Sequence, residues 1–512
     1  MELVVHIDFK GLPLTPEHVC DRLAVLRSLG ATGVILEWED LFPYHGELAA
    51  LRSPHAFTPD EVGRVVATAQ SLGLEVVPLV QTIGHLEFAL KHEAFAALRE
   101  DPTDFGTLCP ALPEAAAFVR GLVAQVVALH PHSRRVHIGC DEPTLGVSSA
   151  TVAAAQADAD GLGGVLADHV VRTCAAIRQA TGAARGGAMG ALMWHDAAAS
   201  MADACLGRLL ASGVRCVCWD YRPCIEATSP SITFAERLLR RGASPYVATA
   251  YKGGDTCDAV VPNRSARAAN QRVWKAWVEI APSWAPSAAA AAAADAADGA
   301  KQAGAAEAKA AEAKAAEARG GEPSAAERGG AVAGVVLTGW SRFGHLMPLT
   351  EMLPAGWGAL LDAISVWAEA SPDAAGAEAA AAGGGGGGES GGGSSHASVY
   401  EELGVLCEQV AAARAELSAL ELEWKCSCAP ATARQAAPKL VLKVRAESTR
   451  LAEALAALGR TARVRLPGSA IFRSAVDVEE WCLAKIDEAA SRAEALRDTA
   501  AHALHSTTTA RA

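Results

Sequence analysis

The segment RVHIGCDEPTLG, residues 135–146, places two adjacent carboxylates, Asp141 and Glu142, at the end of a short apolar run. The run has the length of a buried strand, and the two acids stand where that strand would end. Burying one carboxylate costs free energy, and burying two side by side costs more. On their own, two carboxylates at a strand end are explained by helix caps or ion pairs. Whether they have a catalytic role depends on the segments around them.

Seven other segments have the same apolar character without strict alternation. They are LVVHIDF (3–9), GVILEWE (33–39), EVVPLVQ (75–81), AMGALMWHD (188–196), VRCVCWDY (214–221), SPYVATAYKG (244–253) and GVVLTGW (334–340). Such runs suit strands that are buried on both faces of a parallel sheet, and helix-like stretches follow them. Eight alternating units predict an α/β protein with a (β/α)8 barrel, which builds its active site at the carboxyl ends of the strands. A doubly wound open sheet is the alternative, but DFKGLPLTP (8–16) lacks the Gly-rich phosphate turn that this fold places after its first strand.

The composition divides the chain into a barrel, an insertion, a linker and a tail. The barrel is expected over 1–286 and 331–370, interrupted by an Ala-rich insertion at 287–330 that suits either a solvated helix or a structureless tether. Residues 371–398 contain GGGGGGESGGGSS and are predicted to be a flexible linker. Residues 399–512 carry three apolar series with steps of three and four, which predict an all-α bundle or coiled coil. This bundle is expected either to pack on the barrel or to mediate homo-oligomerisation.

Charge and cysteine usage narrow the class of protein. The net charge of −13, without a block of lysine or arginine, argues against nucleic acid and an anionic membrane as partners. The amino terminus, MELVVHIDFKG, lacks the features of a signal peptide, and the longest alanine run (288–294) is too short to span a bilayer. The 13 cysteines lack the regular spacing of a disulfide framework, so we expect them to be free thiols. We therefore expect a cytoplasmic protein, with the nucleus as a second location.

Tryptophans stand at four of the predicted strand ends, at positions 38, 194, 219 and 340. A single tryptophan in such a place usually fills the core. Aromatic faces also stack on the apolar C–H faces of sugar rings, because both surfaces are flat and weakly polar. Four of them at one barrel mouth, among carboxylates, predict a pocket for a carbohydrate.

Six ordered segments resemble those of family-20 glycoside hydrolases, the β-N-acetylhexosaminidases. HIGCDE (137–142) matches the H-x-G-x-D-E signature of that family. The complete set is similar to the hexosaminidase D branch: HIDFKG, EWEDLFPYHG, VPLVQTIGHLEFALKH, HIGCDE, CWDY and LTGWSRFGHLMPLTEMLPAG. The resemblance covers the barrel without its insertion and does not cover the tail.

The resemblance implies a substrate-assisted, retaining hydrolysis of terminal β-linked N-acetylgalactosamine or N-acetylglucosamine. The 2-acetamido carbonyl of the sugar would attack its own anomeric carbon, so no cofactor and no metal is required. Glu142 would act as general acid and then as general base, while Asp141 would accept the acetamido N–H and orient that group. We expect the charge of Asp141 to raise the pKa of Glu142.

The resemblance also implies substrate-binding residues at other strand ends. His85 corresponds to the histidine of a D-x-P-G-H motif, in which Gln81 replaces the aspartate. His137 is the signature histidine, and a supporting core role is favoured for it over a catalytic one. Tyr221 is preferred to Tyr251 as the donor to the acetamido oxygen. The remaining predicted substrate-binding residues are Asp8, Lys10, Glu37, Trp194, Trp219, Trp340 and Arg342, of which Lys10 replaces the usual arginine and Arg342 the usual glutamate.

Two competing functions stay open at this point. A metal-dependent amidohydrolase barrel would draw its ligands from His6, Asp8, His85, His137, His195 and Asp196. That fold begins with H-x-H, whereas this chain has H-x-D. A catalytically inactive carbohydrate-binding or scaffolding barrel is the non-enzymatic alternative. The intact pair of acids argues against it, because binding alone needs no proton donor.

Overall fold

The computed structural model describes six ranges of the 512-residue chain: 1–181, 189–281, 331–368, 393–427, 438–468 and 471–509. Its centre is a closed barrel of eight parallel strands. They are β1 Glu2–Asp8, β2 Gly33–Glu37, β3 Glu75–Leu79, β4 Arg135–His137, β5 Gly190–Trp194, β6 Val214–Trp219, β7 Tyr246–Lys252 and β8 Gly334–Gly339. Val4 lies opposite both Gly33 of β2 and Val336 of β8, which closes the sheet on itself. The predicted barrel is confirmed, and the open-sheet alternative is wrong.

Helices connect the strands around the outside of the barrel. They are α1 Pro16–Ser28, α2 Pro59–Ser71, α3 Glu87–Leu90, α4 Pro113–Leu129, α5 Ser149–Ala157, α6 Leu162–Thr181, α7 Asp196–Ala199, α8 Asp203–Ala211, α9 Pro230–Arg240, α10 Arg264–Ile280 and α11 Leu353–Trp367. Pro16 and Pro59 stand in the first turns of α1 and α2, where a missing backbone N–H costs nothing. Thr58 and Glu61 form a capping box at the start of α2.

The barrel holds one apolar core inside and a second around it. Val4, Ile35 and Val336 belong to the inner cluster, which fills the space between the strands. The outward-facing strand residues pack against the surrounding helices. At the amino-terminal end of the barrel, Arg135 contacts Glu75 through two hydrogen bonds of 2.6 and 3.0 Å. This packed scaffold leaves the opposite, carboxyl-terminal end for the functional site.

The described part of the tail forms four helices, α12 Gly393–Ser427, α13 Pro438–Gly468, α14 Ala475–Cys482 and α15 Glu488–Thr509, with a π-helical turn at Leu483–Asp487. The three predicted apolar series lie in these helices, so the helical C-terminal region is confirmed. Residues 393–398, the end of the predicted linker, belong to α12. The rest of that linker and the predicted insertion lie outside the described residues. Among the described helices, none combines the length and apolarity needed to cross a membrane.

The bundle packs on loops at the carboxyl end of the barrel. The Thr15 N–H donates to the Ile471 carbonyl at 2.7 Å, next to the first barrel helix. Lys485 Nζ donates to the Cys257 carbonyl at 2.9 Å, in the loop after β7. Apolar residues of the bundle and of the barrel form one continuous core cluster. Of the two expected roles of the tail, packing on the barrel is therefore found, and homo-oligomerisation stays a prediction.

Candidate active site

A cavity of about 340 Å³ opens at the carboxyl end of the barrel. Nine predicted site residues line it: Lys10, Gln81, His85, Asp141, Glu142, Trp194, Trp219, Tyr221 and Trp340. The structure thus brings together side chains from six of the eight strand ends. Four further lining residues were not predicted: Gly253, Gly254, Asp255 and Phe343.

The backbone after β4 gives the two adjacent acids different surroundings. Gly139 has a φ of +66°, and a Cβ there would lie 1.8 Å from Gln81 Oε1, so only glycine fits. Glu142 has a φ of +48°, a conformation that costs free energy in a residue with a side chain. The turn leaves the Asp141 side chain 10% exposed and the Glu142 side chain 62% exposed. One acid is therefore sheltered in the cavity, and the other stands at its mouth.

His85 lies between the two acids. Its Nε2 is 3.4 Å from Asp141 Oδ2 and 3.4 Å from Glu142 Oε2. The preceding Gly84 permits this approach, because a Cβ there would meet the Asp141 carbonyl oxygen at 2.0 Å. His85 itself has a φ of +51°. The loops after β3 and β4 are therefore packed against each other in strained conformations that bring the three side chains together.

The charges of these three groups depend on one another. Burial lowers the pKa of His85, but the carboxylates of Asp141 and Glu142 have the larger effect. They raise the pKa of His85 above its usual value, to about 10. Burial raises the pKa of Asp141 to about 7, although His85 opposes that shift. The hydrogen bond with His85 lowers the pKa of Glu142. The prediction that Asp141 raises the pKa of Glu142 is wrong, because the cation of His85 is the dominant neighbour.

Asp196, the first residue of α7, joins the backbone of Glu142 to the wall of the cavity. Its Oδ2 accepts the Glu142 N–H at 2.7 Å, and its Oδ1 accepts the Trp219 indole N–H at 2.9 Å. Asp196 stands at a predicted strand end, on the face where the active site was expected, and it was assigned a role only in the metal-dependent alternative. Its position at a strand end could have predicted a place in the site, because side chains there face the mouth of the barrel.

Lys10 reaches the cavity from a cluster of buried carboxylates. Its Nζ lies 2.8 Å from Glu37 Oε1, 3.3 Å from Asp8 Oδ2 and 3.3 Å from Glu39 Oε1. Burial lowers the pKa of Lys10, but these three carboxylates raise it well above its ordinary value. Asp8 and Glu37 were predicted to bind substrate, whereas the structure places them around Lys10 and outside the cavity lining. The carboxylates hold the Lys10 ammonium group in place, and Lys10 is the member of this cluster that lines the cavity.

Three other predicted site residues lie outside the cavity lining. His137 is fully buried and packs on Trp194, with ring centroids 4.4 Å apart, which agrees with a supporting role. Tyr251 is also fully buried, so Tyr221 is the tyrosine that lines the cavity. Arg342 donates from both terminal nitrogens to the carboxylate of Glu480 in α14, at 2.7 and 2.8 Å. It therefore contacts the tail instead of the predicted sugar site.

Aromatic rings form the walls of the cavity. Trp194 and Trp340 lie with centroids 5.5 Å apart, and Trp219 stacks on Tyr221 at 5.3 Å. Trp38, the fourth strand-end tryptophan, is buried in the outer core and donates its indole N–H to His130. Trp194 is also fully buried, so Trp219 and Trp340, which are half-buried, are the tryptophans with surface available to a ligand.

The unpredicted Asp255 follows β7 by three residues and reaches the cavity from a loop. Arg267 of α10 contacts it, with Nη2 3.2 Å from Asp255 Oδ1. The sequence feature that could have indicated Asp255 is the segment GGD (253–255), which follows the seventh strand. A loop position gives no defined direction to a side chain, so the strand-end rule did not select it.

Glu39, Asp40 and His345 have ligand atoms within 4.8 Å of one another, a spacing that a metal ion could use. Lysines already contact this group: Lys91 Nζ lies 2.7 Å from His345 Nε2, and Lys10 Nζ is close to Glu39. Lys91 therefore contacts the histidine and Lys10 one of the carboxylates, and His345 itself lies 3.0 Å from Glu39 Oε2, so we describe the group as an ion-pair cluster. The histidines named for the metal-dependent alternative do not belong to it.

Comparison with known proteins places the chain in a family. A sequence profile of the catalytic domain of glycosyl hydrolase family 20 matches residues 38–224. Hexosaminidase D of Bos taurus is 30% identical over 356 residues, which cover 69% of this chain and 88% of the bovine protein. The chain belongs to glycosyl hydrolase family 20. This result confirms the resemblance carried by the six sequence segments, and it classes the chain as a family-20 glycoside hydrolase.

Two further known proteins are similar over comparable lengths. Hexosaminidase D of Homo sapiens is 31% identical over 359 residues, which cover 69% of this chain and 63% of the human protein. The alignment thus spans less than two thirds of that relative. Among solved structures, the beta-N-acetylhexosaminidase from Bacteroides fragilis NCTC 9343 has a TM-score of 0.44 and 14% identity. That match covers 71% of this chain and 65% of the bacterial one.

Proposed function

We propose that the chain is a β-N-acetylhexosaminidase that removes terminal β-linked N-acetylgalactosamine or N-acetylglucosamine by substrate-assisted, retaining catalysis. The observation that carries the proposal is the contrast between two adjacent acids in one aromatic cavity. Asp141 is sheltered, and its Oδ1 accepts no hydrogen bond from another described residue. Glu142 is exposed at the mouth, where a glycosidic oxygen would lie. One acid suits a fixed acceptor, and the other suits a mobile proton donor.

Asp141 would hold the acetamido group of the sugar. An N–H from that group would satisfy Asp141 Oδ1, which otherwise bears the cost of an unpaired buried acceptor. The negative charge would also stabilise the positive charge that develops as the acetamido oxygen bonds to C1. This assignment needs the carboxylate form of Asp141, which prevails above its pKa of about 7.

Glu142 would supply the proton for the leaving group, with His85 as its reservoir. The pKa shifts place a proton on His85 and leave Glu142 as a carboxylate in the free site. A bound sugar would exclude water from Glu142 and raise its pKa, so the proton can cross the 3.4 Å contact from His85. Glu142 would then protonate the glycosidic oxygen while the C1–O bond breaks and the acetamido oxygen bonds to C1.

The second half of the reaction would reverse the roles of Glu142. Its carboxylate would take a proton from water as the water oxygen bonds to C1 and the acetamido oxygen leaves, and this proton would then pass back to His85. Two displacements at C1 restore the β-configuration of the released sugar. Trp219 and Trp340 would contact the apolar face of the ring, and Lys10 and Asp255 would contact its hydroxyls. We place this activity in the cytoplasm and nucleus, in keeping with the free thiols of the described cysteines.

The test compares an aryl β-N-acetylgalactosaminide, its glucosamine analogue and the matching aryl β-galactoside at neutral pH. We expect turnover of the acetamido sugars alone, because the galactoside lacks the proposed nucleophile. Glu142→Gln should lower turnover by about 10²–10⁴-fold, the usual value of general acid catalysis. Equal turnover of the galactoside would indicate a protein nucleophile. Binding of the acetamido sugars without turnover would favour the carbohydrate-binding alternative.

A further inference from the structure

We infer that Asp196 is a positioning residue that sets the orientation of the general acid relative to the cavity wall. The inference rests on the proposed role of Glu142. The Asp196 carboxylate accepts two hydrogen bonds: Oδ2 accepts the Glu142 N–H at 2.7 Å, and Oδ1 accepts the Trp219 indole N–H at 2.9 Å. Both partners line the cavity. Asp196 thus links the residue that would move the proton to a residue that would contact the sugar.

Glu142 needs such support because His85 restrains only the end of its side chain. Its side chain is 62% exposed, so packing restrains it weakly, and its φ of +48° is an unfavourable conformation for a glutamate. A hydrogen bond to a charged acceptor is stronger than one between neutral groups. The Asp196 carboxylate therefore stabilises the strained backbone from which the Glu142 side chain projects.

The two oxygens of Asp196 explain why an aspartate suits this position. An asparagine of the same shape has one acceptor oxygen and one NH2 group. It can accept from either Glu142 or Trp219, and its NH2 group then faces the other N–H donor. Asp196→Asn therefore keeps the volume of the side chain and breaks one of the two contacts.

The consequence for catalysis depends on the leaving group. A glycoside with a poor leaving group, such as methanol, needs a well-placed proton donor, whereas 2,4-dinitrophenolate leaves without protonation. Misplacing a catalytic group by about 1 Å costs on the order of 10²-fold in rate. A residue that acts only through Glu142 should therefore affect methyl glycosides strongly and dinitrophenyl glycosides weakly. A merely structural residue would affect both in the same proportion.

The experiment measures kcat and KM of the full chain on methyl and 2,4-dinitrophenyl β-N-acetylgalactosaminides. For Asp196→Asn we expect kcat on the methyl glycoside to fall about 10²-fold, with less than about a threefold fall on the dinitrophenyl glycoside. Asp203→Asn is the matched control, because Asp203 lies on the next helix and pairs with Arg237 and Arg241 at the surface. It should leave both substrates unchanged.

Two further variants separate the partners of Asp196. Trp219→Phe removes the indole donor and keeps the Glu142 contact, so it should raise KM without a selective loss on the methyl glycoside. Asp196→Glu keeps two acceptor oxygens on a longer chain and should show a smaller selective loss. It also provides the comparison if Asp196→Asn does not fold, as judged by circular dichroism. Equal losses on the two substrates, or no loss, would overturn the inference. Failure of the unsubstituted protein on both galactosaminides and on the matching glucosaminides would instead refute the proposed function.

Discussion

Replacing Asp141 with asparagine should make the fold more stable while it removes activity. Burial raises the pKa of Asp141 from 3.8 to about 7, so the folded protein at alkaline pH carries a carboxylate that its surroundings disfavour. A shift of about three pKa units, at 1.36 kcal/mol each, corresponds to up to about 4 kcal/mol. Asparagine carries no charge and has nearly the same volume, so Asp141→Asn avoids this cost.

The sign of the effect follows from proton binding. The pKa of Asp141 is higher in the folded state than in the unfolded state, so between about pH 4 and pH 7 the folded state binds more protons. The free energy of unfolding therefore falls as pH rises through this window, and the loss is complete above about pH 7. The stability advantage of Asp141→Asn should grow from near zero at about pH 4 to up to about 4 kcal/mol at about pH 8.

Urea denaturation at about pH 5, 6 and 8 measures this difference, and hydrolysis of an aryl β-N-acetylgalactosaminide is followed in the same samples. Asp362→Asn is the matched control, because Asp362 is exposed and pairs with Arg264 at the surface. Its effect should stay below about 1 kcal/mol and show no comparable rise with pH. An Asp141→Asn variant that is no more stable than the unsubstituted protein at about pH 8, or a difference that does not change with pH, would show that the buried carboxylate does not destabilise the fold.

Three other perturbations test the supports of the site. His85→Asn removes the cation that lowers the pKa of Asp141, so the acid limb of the pH profile of kcat/KM should move to higher pH. An unmoved limb would argue against His85 as the partner of Asp141. Glu480→Gln weakens the contact with Arg342, which lies in the loop after β8 next to the cavity residue Phe343, so KM should rise several-fold. Steady-state kinetics that match the unsubstituted protein would contradict this. Gly139→Ala would meet Gln81 and strain a φ of +66°, which should cost about 1–3 kcal/mol in a denaturation experiment. Unchanged stability would show that the turn relaxes freely.

The strands and most of the cavity lining follow from local sequence patterns. Each strand is a short apolar run, and its carboxyl end meets the other strand ends because the sheet is parallel and closed. Trp194, Trp219 and Trp340 line the cavity for that reason. Asp255 and Phe343 follow strands by several residues, and their direction depends on loop packing, which local patterns do not encode.

The electrostatics of the acid pair depended on contacts distant in sequence. Adjacent positions suggested that Asp141 would dominate the pKa of Glu142, but the left-handed turn gives the two acids different surroundings, and His85 from the β3 loop contacts both. Arg342 shows the same limitation. Its position two residues after Trp340 suggested a contact with substrate, whereas Glu480, 138 residues away in the chain, binds it.

The central claim is that the acetamido group of the substrate is the nucleophile and that Asp141 and Glu142 serve it. The most direct measurement is kcat/KM on one aryl glycoside whose N-acetyl group carries zero, one, two or three fluorine atoms. Each fluorine withdraws electrons from the amide carbonyl and weakens it as a nucleophile. We expect kcat/KM to fall steeply and continuously along the series, while equal values across the four substrates would show that the acetamido group is not the nucleophile.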